Sequence, residues 1–427
     1  MTARTIEQLS EIIARNSAKL SLEFKNQGIS SPTVNNTDNT PTFEAIDPRA
    51  SRDLVDAARE LEALVTGPSK MLTYMSFLYY DASSLGALLE FNIPALVPLE
   101  GTITLAELAL QTGLSEDKLT RFVRFAITNF IFCEPSPGVI AHTSLSATLA
   151  RDPTFCAALL CIAVDHAIFA VSLPATSKKW PKSEKMDECA VNQAYGTKDT
   201  FWEWMNKSPE LQQRFHQAMA GGSGDGGSAV HRRLQSDVRA YPWVEKLGAK
   251  ATVVDVGGGS GHFARALALA HPDFSITVQD RAEAFSDSAK RDDRPSNLNF
   301  QEHDFFTPQP LKGADVYFLR HIIHDWPHTE ALKILRALLP ALKPGARVLI
   351  SERLLPSAEG GESLLEEKIV RQMDLHMMAA YNSKERSVEG YADLFQEANE
   401  KLKFQAKYQL PGEQKSCIFE AVWEGAS

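Results

Sequence analysis

The stretch ATVVDVGGGSGH, Ala251 to His262, decides how the rest of the chain reads. Thr252, Val253, Val254 and Val256 form a β-branched apolar run, the composition of a strand buried on both faces of a parallel sheet. The run carries Asp255 near its end and opens into Gly257, Gly258, Gly259 and Gly261. FARALALA follows, with the composition of a helix. Strand, glycine turn and helix make the first half of a nucleotide-binding βαβ unit, in which glycines let the backbone approach a ligand closely. Three readings fit this turn. It is an ordinary tight βα connection, a phosphate cradle, since Gly259-Ser260-Gly261 followed by Ala264 fits the loose G-x-G-x-x-A pattern, or a seat for a ligand with positive charge. Asp255 weighs against the cradle, because a carboxylate beside the turn repels pyrophosphate.

Downstream, strands and helices alternate. FSITVQD reads as a strand ending at Asp280, NLNFQEHD as one ending at Asp304, ADVYFLRH as one ending near His321, and ARVLISERLL as a fifth. KFQAKYQL and SCIFEAVW read as a closing strand pair. This alternation predicts a doubly wound, Rossmann-like α/β sheet with ligands at the carboxyl ends of its strands. Asp255, Asp280, Asp304 and His324 all fall at such ends.

Upstream, the patterning is helical. Residues 5–24 read as an amphipathic helix, followed by a polar linker rich in Ser, Thr, Asn and Pro. ITLAELALQTGL and SEDKLTRFVRFAITNF read as two helices about a glycine turn, with Ser115 as the N-cap of the second. IFCEPSPGVIAHT adds two short strands about a Pro-Gly turn, completing a winged-helix pattern. The second helix carries Lys118, Arg121 and Arg124 beside Glu116 and Asp117, thin cationic cover for a groove-reading helix. A packing module is therefore the preferred reading, and a DNA-binding one the rival. The boundaries read are 1–50 for an N-terminal helix and linker, 51–200 for a mostly helical winged-helix domain, and 201–427 for the ligand-binding domain. GGSGDGGS, residues 221–228, has no preceding strand and no following GK[ST], so it reads as a flexible turn.

The 427 residues suffice for two domains, and a formal net charge of −10 argues against a nucleic-acid partner. The five cysteines form no CxxC pair and no zinc spacing, which fits a reducing compartment. No apolar run reads as membrane-spanning and the first residues lack a signal-peptide centre, so the cytoplasm is the expected location. Asp165 and His166 interrupt an apolar helical stretch, either as a satisfied core contact or facing a substrate.

The strand-end residues outline a site. A carboxylate at Asp280 suits the two hydroxyls of a ribose, and Asp304 with Phe305 suits an adenine. Together with the glycine turn they outline an adenosine-shaped site, and Asp255 suits a ligand with positive charge, of which S-adenosylmethionine, with its ammonium and sulfonium, is one. His324, in RHIIHDWPH, titrates near neutrality and suits a base for a substrate hydroxyl, with Glu352 and Glu385 as candidates to hold its ring. His321, His324 and His328 lie close in sequence. Strand alternation, however, points the first two to opposite faces, so no metal is expected.

DVGGGSGH, the acids after the second and third strands, HDWP, SERLLP and KERS together resemble the S-adenosylmethionine-dependent small-molecule O-methyltransferases, of the plant caffeic-acid type and the fungal secondary-metabolism type. The resemblance runs from about residue 50 to the C-terminus. Glu352 follows His324 by 28 residues and Glu385 follows Glu352 by 33, the order and spacing of that family. The resemblance implies His324 as catalytic base flanked by Glu352 and Glu385. It implies Asp255, Gly257, Gly259, Asp280, Asp304, Phe305 and Arg320 around the cofactor, Arg320 standing where plant members carry lysine. It further implies a homodimer and an aromatic or polyketide-like substrate, for which Asp165, His166, Trp326, Met373 and Met377 are the candidate contacts. One rival keeps the fold and cofactor but catalyses dehydration or pericyclic rearrangement, using the sulfonium as fixed charge.

Overall fold

The computed structural model describes residues 4–38, 41–221, 237–289, 293–356, 363–410 and 417–425. The glycine-rich stretch at 221–228 lies, after Gly221, outside the described residues. The chain divides into two compact units, and both are discontinuous. One comprises Met1–Ala167, Pro209–Ala229 and Gly360–Glu367; the other Ile168–Ser208, Val230–Glu359 and Lys368–Ser427.

The linear boundaries at 50 and 200 therefore need correction. Residues 168–208 belong with the sheet-bearing unit because aromatic packing ties them there. Phe169 meets Phe201 edge-on at 6.2 Å, Phe201 meets Tyr381 at 4.8 Å, and the Cys189 thiol lies 3.3 Å from the Ala380 carbonyl. Such tertiary contacts leave no mark in local composition.

In the first unit, β1 (Ile103–Thr104), β2 (Cys133–Ser136) and β3 (Val139–Ala141) form a small antiparallel sheet in the order β1-β3-β2. Helices Leu105–Thr112 and Glu116–Thr128 pack beside it. The first is started by a capping box between Thr104 and Glu107, the second by the Ser115 hydroxyl accepting from the Lys118 amide. Leu108, Leu119, Val123 and Ile140 form their shared core. Arg124 is tied to Glu134 of β2 at 2.8 Å, which removes one of the three cations that a groove-reading helix would offer.

Residues Pro153–Lys179 form one 27-residue helical run, long and apolar enough by length and composition to cross a bilayer. The sequence reading missed this because Asp165 and His166 split the apolar run. The helix instead absorbs them in a π-turn, Cys161–Asp165. By composition alone the run is weak evidence for a span, since core helices pass the same test.

The second unit is built on a seven-stranded sheet, β4 (Thr252–Val256), β5 (Ser275–Asp280), β6 (Leu298–Glu302), β7 (Val316–Arg320), β8 (Arg347–Glu352), β9 (Leu402–Tyr408) and β10 (Cys417–Trp423). Its order is β6-β5-β4-β7-β8-β10-β9, with β4 to β8 parallel and β10 antiparallel to both neighbours. Along β4, Val254 and Val256 enter the core on one face and Val253 that on the other, as a doubly covered strand requires. The order reverses at β4, so the crevice at its carboxyl end is a topological switch point.

Candidate active site

The turn after β4 is shaped by what surrounds it. Gly257, Gly259 and Gly261 hold positive φ. A Cβ on Gly258 would lie 2.5 Å from an Asp255 carboxylate oxygen, and one on Gly257 would strike Ile322 and approach Phe305 at 3.5 Å. Asp255 thus sits directly beneath the turn. Its Oδ2 is buried and accepts no hydrogen bond among the described residues, and burial pushes its carboxyl up to about 7 despite Arg320. Asp280, the last residue of β5, accepts the Gly259 amide at 2.8 Å and the Arg281 amide at 2.7 Å. Asp304 lies two residues past the end of β6 and is exposed, its carboxylate accepting the Phe306 amide at 3.0 Å. Arg320, the last residue of β7, is paired with buried Asp237 at 2.6 Å.

Next to this turn, β7 ends at Arg320 and the backbone reverses. His321 adopts φ +53, and Ile323–Asp325 form a single 3₁₀ turn. Glu352, the last residue of β8 and wholly buried, spans that reversal. Its Oε1 accepts the amides of Ile322 at 3.0 Å and His324 at 3.2 Å. Glu385, in the loop after helix Leu364–Tyr381, places Oε1 3.0 Å from His324 Nδ1. In the neutral ring a carboxylate there accepts the Nδ1 hydrogen, and Nε2, 3.5 Å from Asp325, is the nitrogen left to accept a proton. Burial alone would push this imidazole down. The carboxylates of Glu352, Asp325 and Glu385 outweigh it and raise His324 to about 10.

The predicted opposition of His321 and His324 does not hold. Alternation ends with the strand, and the positive φ at His321 turns its ring back, so that both imidazoles face Glu352.

Aromatic rings line the same stretch. Trp326 stacks on Trp202 at 6.1 Å, Trp202 on Tyr381 at 5.3 Å, and Phe305 meets Trp326 edge-on at 5.7 Å. Met377 is buried and Met373 half-buried on helix Leu364–Tyr381.

In the first unit, Asp165 pairs with Arg214 at 3.3 Å, and Arg214 also reaches Glu90 and Glu210. His166 is buried, with Nε2 3.6 Å from the Cys161 sulfur. Burial and the Asp165 charge push that thiol up to about 12, which keeps it neutral.

The comparisons with known proteins bear on this geometry. The family model for the O-methyltransferase domain matches residues 178–399, about half of the chain. The chlorophenol O-methyltransferase of Trichoderma longibrachiatum is 35% identical, covering 97% of this chain and 90% of its own. The O-methyltransferase VdtC of Byssochlamys spectabilis is 35% identical over 86% and 85%. The chain belongs to the O-methyltransferase family. The family's methyl donor is S-adenosylmethionine, and that is the cofactor of this chain.

Two solved structures show how widely the methyltransferase fold serves. OxaC, solved with S-adenosylhomocysteine and oxaline, superposes with a TM-score of 0.76 at 22% identity, covering 97% of this chain and all of its own. A protein described as a pericyclic reaction enzyme superposes with a TM-score of 0.74 at 20% identity, covering 97% and 100%. Each fixes the fold and leaves the reaction to the residues.

The methyltransferase cofactor fits those residues. An orphaned buried carboxylate at Asp255 suits a cationic ligand, and the glycine turn above it is a cradle that side chains would fill.

Sequence reading missed the residues that support the His324 turn. Arg386 donates to the carbonyls of Ile323 and Trp326, both at 3.0 Å, and so clamps the turn that carries His324. Asp374 accepts the Glu385 amide at 2.9 Å, fixing the backbone of the ring's partner. Asp325 and His376 are half-buried close by, and desolvation pushes the first up to about 6 and the second down to about 4. Arg386 stands inside the KERS motif, so it carried a signal. Asp374 carried none.

Proposed function

We propose that the chain methylates a hydroxyl of an aromatic or polyketide-like small molecule of secondary metabolism, with His324 as the base. The observation that carries this is the 3.0 Å contact between His324 Nδ1 and Glu385, which in the neutral ring leaves Nε2 as a proton acceptor. A substrate hydroxyl gives its proton to Nε2 while Glu385 holds Nδ1–H, and Glu352 and Asp325 stabilise the imidazolium that forms. The carboxylates of Glu352, Asp325 and Glu385 raise the proton affinity of His324, so the ring holds the proton that it takes from the hydroxyl. Glu352 and Glu385 are positioning residues in this reading. When bound, S-adenosylmethionine supplies an electrophilic methyl group on a sulfonium. Asp255, Gly257, Gly259, Asp280, Asp304, Phe305 and Arg320 hold it, and alignment of the reacting atoms supplies most of the rate. Trp326, Met373 and Met377 offer flat, polarisable surface to an aromatic substrate.

The test is mass spectrometry of a phenolic substrate with the cofactor. The expected products are a substrate heavier by one methyl and an equal amount of S-adenosylhomocysteine. An isomerised or dehydrated substrate with the cofactor unspent overturns methyl transfer and favours the non-methylating rival. A salt-dependent gel shift on random duplex would instead support the winged-helix DNA binder.

The same proposal includes a homodimer in the cytoplasm, the small sheet and its helices serving as a winged-helix dimerisation module. Leu72, Tyr74, Met75, Phe77, Tyr79 and Tyr80 are about half exposed in one short stretch, more apolar surface than a monomer ordinarily leaves in water. Light scattering at micromolar concentration should give twice the chain mass of 47.1 kDa, and a monomer would contradict it.

A further inference from the structure

We propose that His321, His324 and Glu352 form a site for a divalent cation of the zinc class, and that a cation bound there disables the base. The binding part stands on geometry alone; the inhibition part rests on His324 acting as base.

Glu352 Oε2 is the starting point. It is wholly buried and, among the described residues, accepts no hydrogen bond, while Oε1 is engaged by two amides. A buried carboxylate oxygen in that state is costly without a positive partner. Two imidazole nitrogens face it, His321 Nδ1 at 3.4 Å and His324 Nδ1 at 3.6 Å. Zinc binds nitrogen and oxygen at about 2.0–2.2 Å, so tetrahedral ligands lie roughly 3.3–3.6 Å apart. Both separations match that edge, and one donor atom from each of the three residues lies within 4.8 Å of the others. The surroundings favour a cation too. Glu352, Glu385 and Asp325 place three carboxylates about one imidazole, and the nearby Arg386 donates to backbone carbonyls. The His321 side chain keeps 34% of its surface, which gives a cation a way in and leaves a fourth position for water.

The consequence follows from imidazole chemistry. A neutral ring has one N–H and one lone pair. A cation on Nδ1 displaces that nitrogen's proton, to solvent from the protonated ring or to Nε2 from the neutral one, and leaves the ring's one hydrogen on Nε2. The ring then has nothing with which to accept a substrate proton. The cation also displaces the hydrogen bond to Glu385. No atom other than the metal ion and the ring proton changes place.

The experiment is equilibrium dialysis of the full chain against Zn²⁺, with Co²⁺ as a spectroscopic substitute. His321→Asn removes one ligand and keeps a residue type that tolerates positive φ. The wild type should hold one zinc, show the visible band of four- or five-coordinate cobalt, and lose methyl transfer until a chelator restores it. In His321→Asn, metal-free turnover should stay near that of the wild type. Its zinc affinity should fall by at least about tenfold, and inhibition should be relieved to the same extent. His328→Ala, which breaks the His328–Glu397 pair instead, should bind zinc as the wild type does. Failure of the wild type to bind zinc, or equal affinity in His321→Asn, overturns the site. Zinc binding with inhibition unaltered by His321→Asn overturns the disabling of the base. Were methyl transfer itself absent, dialysis and the cobalt band would still read the site, so the two failures are distinguishable.

Discussion

Two places in the molecule set an aspartate beside a histidine, Asp165-His166 in one unit and His324-Asp325 in the other, and they are wired in opposite ways. In the first, the acid meets an arginine and the imidazole meets a thiol held neutral. In the second, the imidazole meets three carboxylates. Asp165 is pushed up by burial and pulled back by Arg214, so its pair is a charge balance inside an apolar helix. His324 is pushed up to about 10, its three carboxylate neighbours outweighing its burial. The same two residue types give a charge balance in one place and, in the proposed function, acid–base chemistry in the other. What separates them is the third group that each one meets.

That contrast can be broken most directly at the two histidines. His324→Ala should lower kcat by roughly 10²–10⁴ while leaving calorimetric affinity for S-adenosylhomocysteine nearly intact. His166→Ala should leave kcat within a few-fold. Equal losses in the two variants would erase the distinction. At the arginine the prediction is one of stability. Arg214→Ala leaves Asp165 half-buried and uncompensated, and should cost about 2–4 kcal/mol by denaturant unfolding. Adding Asp165→Asn should return most of that loss, and no recovery would mean that Arg214 acts through packing alone.

How much of this was legible beforehand depended on whether the signal was local. The five parallel strands were readable because each is a short apolar run ending at a polar residue, and the glycine turn fixed which end holds the ligand. His324, Glu352 and Glu385 were readable as a set because HDWP, SERLLP and KERS stand in the order and spacing of the family that the sequence resembles. The pairing of His321 with Glu352 was not readable, because it requires a positive φ at a non-glycine residue. Nor was the partner of Asp165, since Arg214 lies 49 residues further along the chain. The unit boundary failed for the same reason: the rings of Phe169, Phe201 and Tyr381 meet only after folding.

Smaller effects sharpen the second cluster. Glu385→Gln removes a negative neighbour, so the His324 imidazole should lose protons at lower pH. The neutral base exists only above its pKa. The rising limb of kcat against pH should therefore move down by about one unit. An unmoved limb would show that Glu385 orients the ring without tuning it. Asp255 gives a stability test with a defined sign. Its carboxyl is raised from 3.8 to about 7, so its contribution is fully present below pH ~4 and is lost as the pH rises through about 7. Asp255→Asn should thus melt a few degrees above the wild type at pH 8, with no gain at pH 4, and gain less from added cofactor. Equal melting at both pH values would mean that the carboxylate is already compensated.

The central claim, that His324 removes a proton, is tested most directly by a series of chlorophenols of increasing acidity at one neutral pH. Unsubstituted phenol ionises near ~10 and needs a base, whereas polychlorinated phenols arrive already ionised. The ratio of wild-type to His324→Ala turnover should be large for the weakest acid and should collapse toward unity for the strongest, methylated product being counted in each case. A ratio that stays constant across the series would reduce His324 to a structural residue, and the account of the base would be wrong.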